Sequence, residues 1–187
     1  MGNYYFVTAS LPMLQYDKPA GITRGYFLEL CGAHLKPADF EQLAEAELFG
    51  YTAQTPRSTV YTAYREWETE LRNELVKLRA PRLGRDAESF LKQGEVVLAE
   101  RALARRAFDE ASPLQAEELL NKARWQYLEE LEFGHYFDLH KLIVYYLKLQ
   151  LLLRRSLFKT EQGRETFTAI EQRVFEELKA GVEAYGT

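Results

Sequence analysis

The sequence predicts an all-α protein, a helical bundle of about seven helices around a central apolar helix at residues 139–158, with an extended N-terminal segment. Two observations predict this fold class. Apolar residues recur at steps of three or four along most of the chain, which is the period of an amphipathic helix. In the stretch LHKLIVYYLKLQLLLRRSLF, apolar residues instead fall on nearly every side of the helix, which is typical of a helix inside a bundle.

Length and composition predict how this bundle is organised. The 187 residues favour one helical domain over 1–187, with two lobes at about 1–80 and 81–187 as the alternative. The net charge of −4 is too small to indicate a nucleic acid or membrane partner. Cys31 is the only cysteine, and the first residues lack a signal-peptide pattern, so we expect a cytoplasmic protein.

In the first half of the chain, the patterns predict an extended segment followed by three helices. Residues 4–10, YYFVTAS, are β-branched or aromatic and indicate a short strand or, with no clear second strand, an extended segment. Thr23 is placed as the N-cap of one helix, and Pro37 as the first residue of the next. A third helix follows Thr55-Pro56, and Ala80-Pro81 is expected to stop it.

Four further helices are predicted in the second half. Asp86 is expected to cap a long helix that reaches Phe108. Ser112-Pro113-Leu114-Gln115 reads as a capping box that starts a helix to about Leu131, and Asp138 is placed to cap the central helix. A last helix after Gly163 carries an apolar stripe of Phe167, Ile170, Val174, Leu178, Val182 and Tyr185.

Neighbouring segments differ in charge. Residues 79–106 hold seven Arg or Lys against four Asp or Glu, whereas residues 109–138 hold two against eight. If the two segments form an antiparallel hairpin across Ala111-Ser112, these opposite charges can face one another. The simpler interpretation is two solvated faces with modest attraction.

We find no pattern that predicts catalysis or a cofactor. Cys31 lies on the apolar face of its helix, where cysteine behaves as a small hydrophobic residue, and no phosphate-binding loop or GxSxG motif is present. The alternative is a metal-binding helical bundle or enzyme using Glu132, His135 and His140. Its candidate ligands are Glu129, Glu130, Glu132, His135, Asp138 and His140, but di-iron bundles need two Glu-x-x-His motifs and this chain has one. The sequence therefore predicts no catalytic residue, cofactor or metal site.

Arginines are the candidate partner contacts. Arg101, Arg105 and Arg106 form a basic patch beside Arg79, Arg82 and Arg85, and Arg154 and Arg155 end a helix otherwise rich in leucine. We expect at least one of the last two to meet a carboxylate or reach solvent, because unpaired burial of a charge is costly. A regulatory module that binds a protein or nucleic acid through the first three is a further alternative, although no nucleic-acid-reading motif accompanies them.

Several stretches resemble an uncharacterised bacterial protein family whose members are typically encoded beside V/A-type ATPase subunits. They are YYFVTASLPML, FLELC, KARWQYLEELEFGHYFDLHKLIVYYLKLQLLLRR and FKTEQGRETF. That family is distantly similar to the central-stalk socket protein of V/A-type ATPases, the helical protein that lies between the membrane rotor ring and the central stalk.

The resemblance implies a function without catalysis. It suggests a subunit or accessory factor of a V/A-type ATPase that contacts the rotor or central stalk and meets the membrane only through that complex. The socket protein consists of three-helix lobes, and this shorter chain has room for about two of them. No motif of the socket protein can be placed on numbered positions here, so the resemblance implies no binding residues.

Overall fold

The computed structural model describes residues 3–50, 56–92 and 98–158, and their secondary structure is entirely helical. The all-α fold class is therefore confirmed. Seven α-helices lie in the described part of the chain: α1 (Tyr4–Ser10), α2 (Arg24–His34), α3 (Pro37–Ala44), α4 (Thr59–Arg82), α5 (Leu98–Asp109), α6 (Pro113–Glu132) and α7 (Leu139–Ser156). A short 3₁₀ helix at Glu88–Phe90 precedes α5.

The chain divides into two compact units, Met1–Leu153 and Arg154–Thr187. The first unit holds α1 to α6 and most of α7. Within it, α4 contacts both α5 and α6, so the helices on either side of residue 80 pack together. Of the second unit, the structure describes residues 154–158, and α7 ends within them at Ser156.

Helix α7 is the centre of the first unit, as its all-round apolar character predicts. Every residue from Leu142 to Leu152 is buried except Gln150. The Gln150 amide donates to the carbonyl of Ala46 and accepts from the amide of Leu48, which ties the loop after α3 to α7. None of the described helices is long and apolar enough for a membrane crossing.

Helices α4 and α6 run antiparallel and are joined by a buried ion pair. The nitrogens Nε and Nη2 of Arg124 donate to the carboxylate of Glu68, at 2.9 and 3.1 Å, and each residue is about 5% exposed. One helical turn away, the ring of Tyr127 stacks on Trp67 at 4.7 Å. The two-point Arg–carboxylate geometry fixes the register of these helices as well as joining them.

The predicted extended N-terminal segment is wrong, because residues 4–10 form α1. Its N-cap is Asn3, whose side chain accepts from the amide of Phe6. Val7 is fully buried, and the Tyr4 hydroxyl donates to Asp39 at 2.5 Å. Capping and tertiary contacts therefore outweigh the β-propensity of these residues, which is only a weak preference.

The predicted continuous helix from Asp86 to Phe108 is also wrong. The 3₁₀ turn ends at Phe90, Leu91 is extended (ψ 141°), and the next described helix is α5, Leu98–Asp109. The side chain of Asn73 explains the break, because it bonds both the amide and the carbonyl of Lys92, at 3.0 and 2.8 Å. Those two bonds pair the backbone amide and carbonyl of Lys92, which a helix would otherwise pair, and so stabilise the extended conformation.

Most predicted helix starts are confirmed. Thr23 caps α2 through a bond from the Tyr26 amide, Pro37 opens α3, and the Oδ1 of Asp138 accepts from the Lys141 amide at the start of α7. Ser112 is the N-cap residue of α6 but makes no side-chain capping bond.

Other boundaries differ from the predictions or fall beyond what the structure describes. Helix α4 starts after Ser58 and includes Pro81 in its last turn. The predicted last helix, together with Thr55, lies outside the described residues.

Candidate interaction surfaces

Four aromatic side chains lie exposed around the turn between α6 and α7. Phe133 is 87% exposed, Tyr136 67% and Phe137 52%, and Tyr5 of α1 is 66% exposed. The rings of Tyr5 and Phe137 contact each other with centroids 4.9 Å apart. We call these four residues the aromatic turn. Grouped exposed apolar residues of this kind mark interaction sites more often than single ones do.

The backbone of the aromatic turn is held by hydrogen bonds at both ends. Gly134 takes a positive φ of 83°, a conformation that glycine adopts without steric cost and that ends many helices. The His135 amide then donates to the carbonyl of Glu132, and Asp138 caps α7. The turn therefore has a defined geometry on which its rings are displayed.

Two histidines, His135 in the turn and His140 at the start of α7, stack on each other. His135 Nδ1 donates to Asp138 Oδ2 at 2.5 Å, and His140 Nε2 donates to the carbonyl of Leu131 at 2.7 Å. Their rings are nearly parallel, with centroids 3.6 Å apart. Burial and the neighbouring His135 lower the pKa of His140, although the Leu131 carbonyl opposes the shift. The arrangement favours the neutral form of His140.

Glu132 is engaged by two lysines rather than by the histidines. Its two carboxylate oxygens accept from Lys141 and Lys148 of α7. Burial alone would raise the pKa of this carboxyl group, but the two lysine bonds hold that pKa below its usual value. Lys148 also lies 4.9 Å from the centre of the Trp125 ring. Glu132 therefore joins α6 to α7.

The six candidate metal ligands do not form one cluster, because Glu132 pairs with lysines while His135, Asp138 and His140 make other contacts. Among the described residues, no group of three or more His, Cys, Asp or Glu side chains is placed to hold a metal ion. His135, Asp138 and His140 are brought together, but each histidine already donates to an oxygen. The structure thus offers no specific observation in favour of the metal-binding alternative.

An acidic strip borders the aromatic turn on α6. Gln126, Glu129, Glu130 and Phe133 line a shallow depression on the surface. Glu129 accepts a 2.7 Å bond from the neutral indole of Trp125, and within the described part of the chain no lysine or arginine pairs with Glu129 or Glu130. Two exposed carboxyl groups without a cation beside them among the described residues therefore border the aromatic turn.

The basic patch lies at the other end of α6, where α4 and α5 end. Arg101, Arg105 and Arg106 are all exposed on α5. The guanidinium carbon of Arg82 lies 4.0 Å from the centre of the Phe108 ring, and that of Arg105 lies 5.9 Å from it. Arg105 also pairs with Asp109 at 3.0 Å. The structure thus brings two of the predicted arginines around one aromatic ring.

Arg154 and Arg155 lie in the last turn of α7, which belongs to the second unit. Both are partly exposed, and the guanidinium carbon of Arg154 lies 5.1 Å from the centre of the Phe158 ring. Their role as partner contacts stays a prediction.

Cys31 is fully buried on the core face of α2, as predicted. Burial raises the pKa of its thiol to about 12, so the thiol stays protonated near neutral pH. A buried neutral thiol is a small apolar side chain in the packing of this helix.

Sequence reasoning missed the aromatic turn, where it identified only candidate metal ligands and the cap of α7. The available signal was the composition of FGHYFD, which has three aromatic residues in six around a glycine that stops a helix. A turn is normally exposed, so large apolar residues within it are candidates for partner contact. Tyr5 had no such signal, because its position follows from α1 folding against the turn.

Comparison with known proteins yields one match. A family described as "Protein of unknown function (DUF2764)" matches residues 103–178, which include α6, α7 and three of the four residues of the aromatic turn. This similarity covers less than half of the chain. Searches of curated proteins and of solved structures gave no match.

Proposed function

We propose that this protein is a non-enzymatic subunit or accessory factor of a V/A-type ATPase and works through protein–protein contacts. Two things support the proposal. The sequence blocks described above resemble a family encoded with such ATPases, and the folded chain displays the aromatic turn. The exposed aromatic turn is the observation that carries the protein-binding part.

Exposed rings on a fixed backbone suit a protein interface. Aromatic residues are enriched at interfaces and at the few positions that dominate binding energy, because they bury a large area with little loss of side-chain freedom. Phe133, Tyr136 and Phe137 lie within five consecutive residues, and Tyr5 adds a fourth ring from another helix. A partner that covers these rings would gain apolar burial without first reorganising the turn.

The rest of the first unit suits a mechanical role. The buried Glu68–Arg124 pair and the Glu132 contacts to Lys141 and Lys148 join α6 to the helices on either side of it. Pairs held at two points resist sliding of one helix past another. A factor between a stalk and a rotor ring would need this resistance, because its surfaces must keep their geometry under load.

Affinity purification from the native cell tests the proposal. A tagged copy expressed at its normal level would be purified in mild detergent, with a tagged unrelated helical protein of similar net charge as the control. We expect subunits of the rotor or central stalk to co-purify in fixed proportion to the bait. Recovery of those subunits at no more than the control level would contradict the proposal.

A further inference from the structure

We infer that the aromatic turn and the adjoining Glu129 and Glu130 form one docking site for a partner protein, and that the docked segment presents lysine or arginine beside apolar side chains. The inference rests on the proposed function only for the identity of the partner. The chemistry of the docked segment follows from the surface itself.

The apolar part of this site comes from rings that the chain leaves uncovered. Phe133 is the most exposed large hydrophobic residue in the described part of the chain. It extends the acidic strip of α6 directly into the turn, because it lines the same depression as Glu129 and Glu130. Tyr5 and Phe137 continue the apolar surface onto α1 through their ring contact.

The charged part is acidic because the described residues place a lysine or arginine beside only some of its carboxylates. Glu132 is paired with Lys141 and Lys148, whereas Asp138 accepts a hydrogen bond from His135. Glu129 and Glu130 have no such cation among the described residues, and the hydrogen bond that Glu129 accepts comes from an uncharged indole. The charge left at the surface is therefore that of two exposed carboxylates beside a phenyl ring.

This combination selects a basic protein segment. An arginine or lysine can pair with the carboxylates while its alkyl stem lies on the rings, and a cation over an aromatic face is itself attracted. An anionic membrane surface would be repelled by the carboxylates, although it tolerates aromatic residues well. Charge complementarity therefore favours a protein with basic residues over a lipid surface.

Photocrosslinking in native cells tests the site. The photoreactive residue p-benzoylphenylalanine would replace Phe133 or Tyr136, and Leu83, which is 71% exposed at the far end of α4, would serve as the control position. Peptide mass spectrometry would identify the crosslinked segment. We expect positions 133 and 136, but not 83, to crosslink to one protein segment that carries lysine or arginine.

Charge reversal provides the second measurement. The double variant Glu129→Lys/Glu130→Lys should lower the crosslink yield at least about tenfold, as expected for loss of central interface contacts. The matched control is Glu29→Lys/Glu110→Lys, which makes the same change in net charge at two exposed glutamates elsewhere. That control should leave the yield unchanged.

The outcomes separate this inference from the proposed function. Crosslinks to a basic, charge-sensitive segment of a protein outside the ATPase would support the site and contradict the ATPase proposal. Co-purification of ATPase subunits without crosslinks at 133 and 136 would overturn the site and leave the ATPase proposal standing. Crosslinks to lipid, to a second copy of this chain, to its own residues 159–187, or to a segment without basic residues would each overturn the inference.

Discussion

The aromatic turn and the basic patch both place aromatic rings beside charged side chains. They differ in how many contacts those rings and charges make with the described residues. At the basic patch, Phe108 lies beneath the guanidinium of Arg82 and near that of Arg105, which in turn pairs with Asp109. At the aromatic turn, Phe133 and Tyr136 remain largely open to solvent and the adjoining glutamates lack a cationic partner among the described residues.

The difference indicates which end of the first unit has more to offer a partner. The two surfaces lie near opposite ends of α6, which at 20 residues is about 30 Å long. A partner at the basic patch must compete with the contacts that Arg82 and Arg105 already make. A partner at the aromatic turn gains burial and charge pairing that the described residues leave unused, so we rank the turn first.

The largest effect that we expect comes from removing the buried ion pair that joins α4 to α6 between the two surfaces. Glu68→Gln should lower the free energy of unfolding by about 3 kcal/mol, because the buried Arg124 loses its two-point carboxylate partner and keeps only the longer carboxylate contact, to Glu117 at 3.6 Å. Urea denaturation followed by circular dichroism measures this change. Asp109→Asn removes a carboxylate from the exposed pair with Arg105 and should change the same quantity by less than about 0.5 kcal/mol. Equal effects would show that the buried pair has no special structural role.

Removing side chains from each surface sharpens the comparison of partner binding. Phe133→Ser/Tyr136→Ser should reduce partner recovery in the affinity purification at least about tenfold, because exposed aromatic anchors dominate interface energy. Arg101→Ser/Arg106→Ser is the matched change at the basic patch and should reduce recovery less than about threefold. Both double variants should keep the wild-type circular dichroism spectrum, since all four residues are exposed. If the arginine double variant lost more partner than the aromatic double variant, the main interface would lie at the basic patch.

A smaller effect tests whether the ring at the basic patch is already used. Arg82→Ala should lower the free energy of unfolding by about 0.5 kcal/mol, because the guanidinium at 4.0 Å from the Phe108 ring centre is lost. Arg106→Ala is the control on α5, and we expect it to be neutral. Urea denaturation of both variants measures the difference. If Arg82→Ala changes the free energy of unfolding no more than its control does, the contact of Arg82 with Phe108 does not stabilise this end of the unit.

The parts of this fold that the sequence predicts are those set by local pattern. The burial of α7 follows from its all-round apolar composition, and the starts at Thr23 and Asp138 follow from capping chemistry within one helical turn. The wrong predictions depend on distant residues. Helix α1 is supported by Asp39, 35 positions from Tyr4, and the break before α5 is supported by Asn73, 19 positions from Lys92.

The candidate site shows the same division. The basic patch could be found from a run of arginines, and the structure confirms that three of them are exposed. The aromatic turn could not be recognised from its residues alone, because the same aromatic residues would be core if another element covered them. The Glu68–Arg124 pair joins positions 56 apart, and nothing local in either segment indicates that the two charges meet.

Acidification tests the stack of His135 and His140 next to the aromatic turn, and its effect is the smallest that we expect. Folding lowers the pKa of His140 from about 6.5, so its neutral form is favoured in the folded state and its contribution to stability is complete above that pH. That contribution falls as the pH drops from about 6.5 toward the folded pKa. His140→Gln keeps a side-chain donor for the Leu131 carbonyl but does not titrate. The free energy of unfolding of this variant should therefore change less than that of the wild type between pH 7 and pH 5. This is roughly the range in which an unperturbed histidine titrates.

The carboxylates produce a second decline at lower pH, which the histidine variant should retain. Folding lowers the pKa of Glu132 and of Asp138, so both stabilise the fold while ionised and lose that effect as the pH falls through their folded pKa values. Urea denaturation at a series of pH values separates the two declines. If the free energy of unfolding of His140→Gln follows that of the wild type from pH 7 to pH 5, the proton that destabilises the chain in that interval binds to another group. The histidine stack next to the aromatic turn would then not be acid-sensitive. If only the wild type declines there, the geometry of the surface ranked first depends on a neutral His140, and partner recovery should weaken over the same interval.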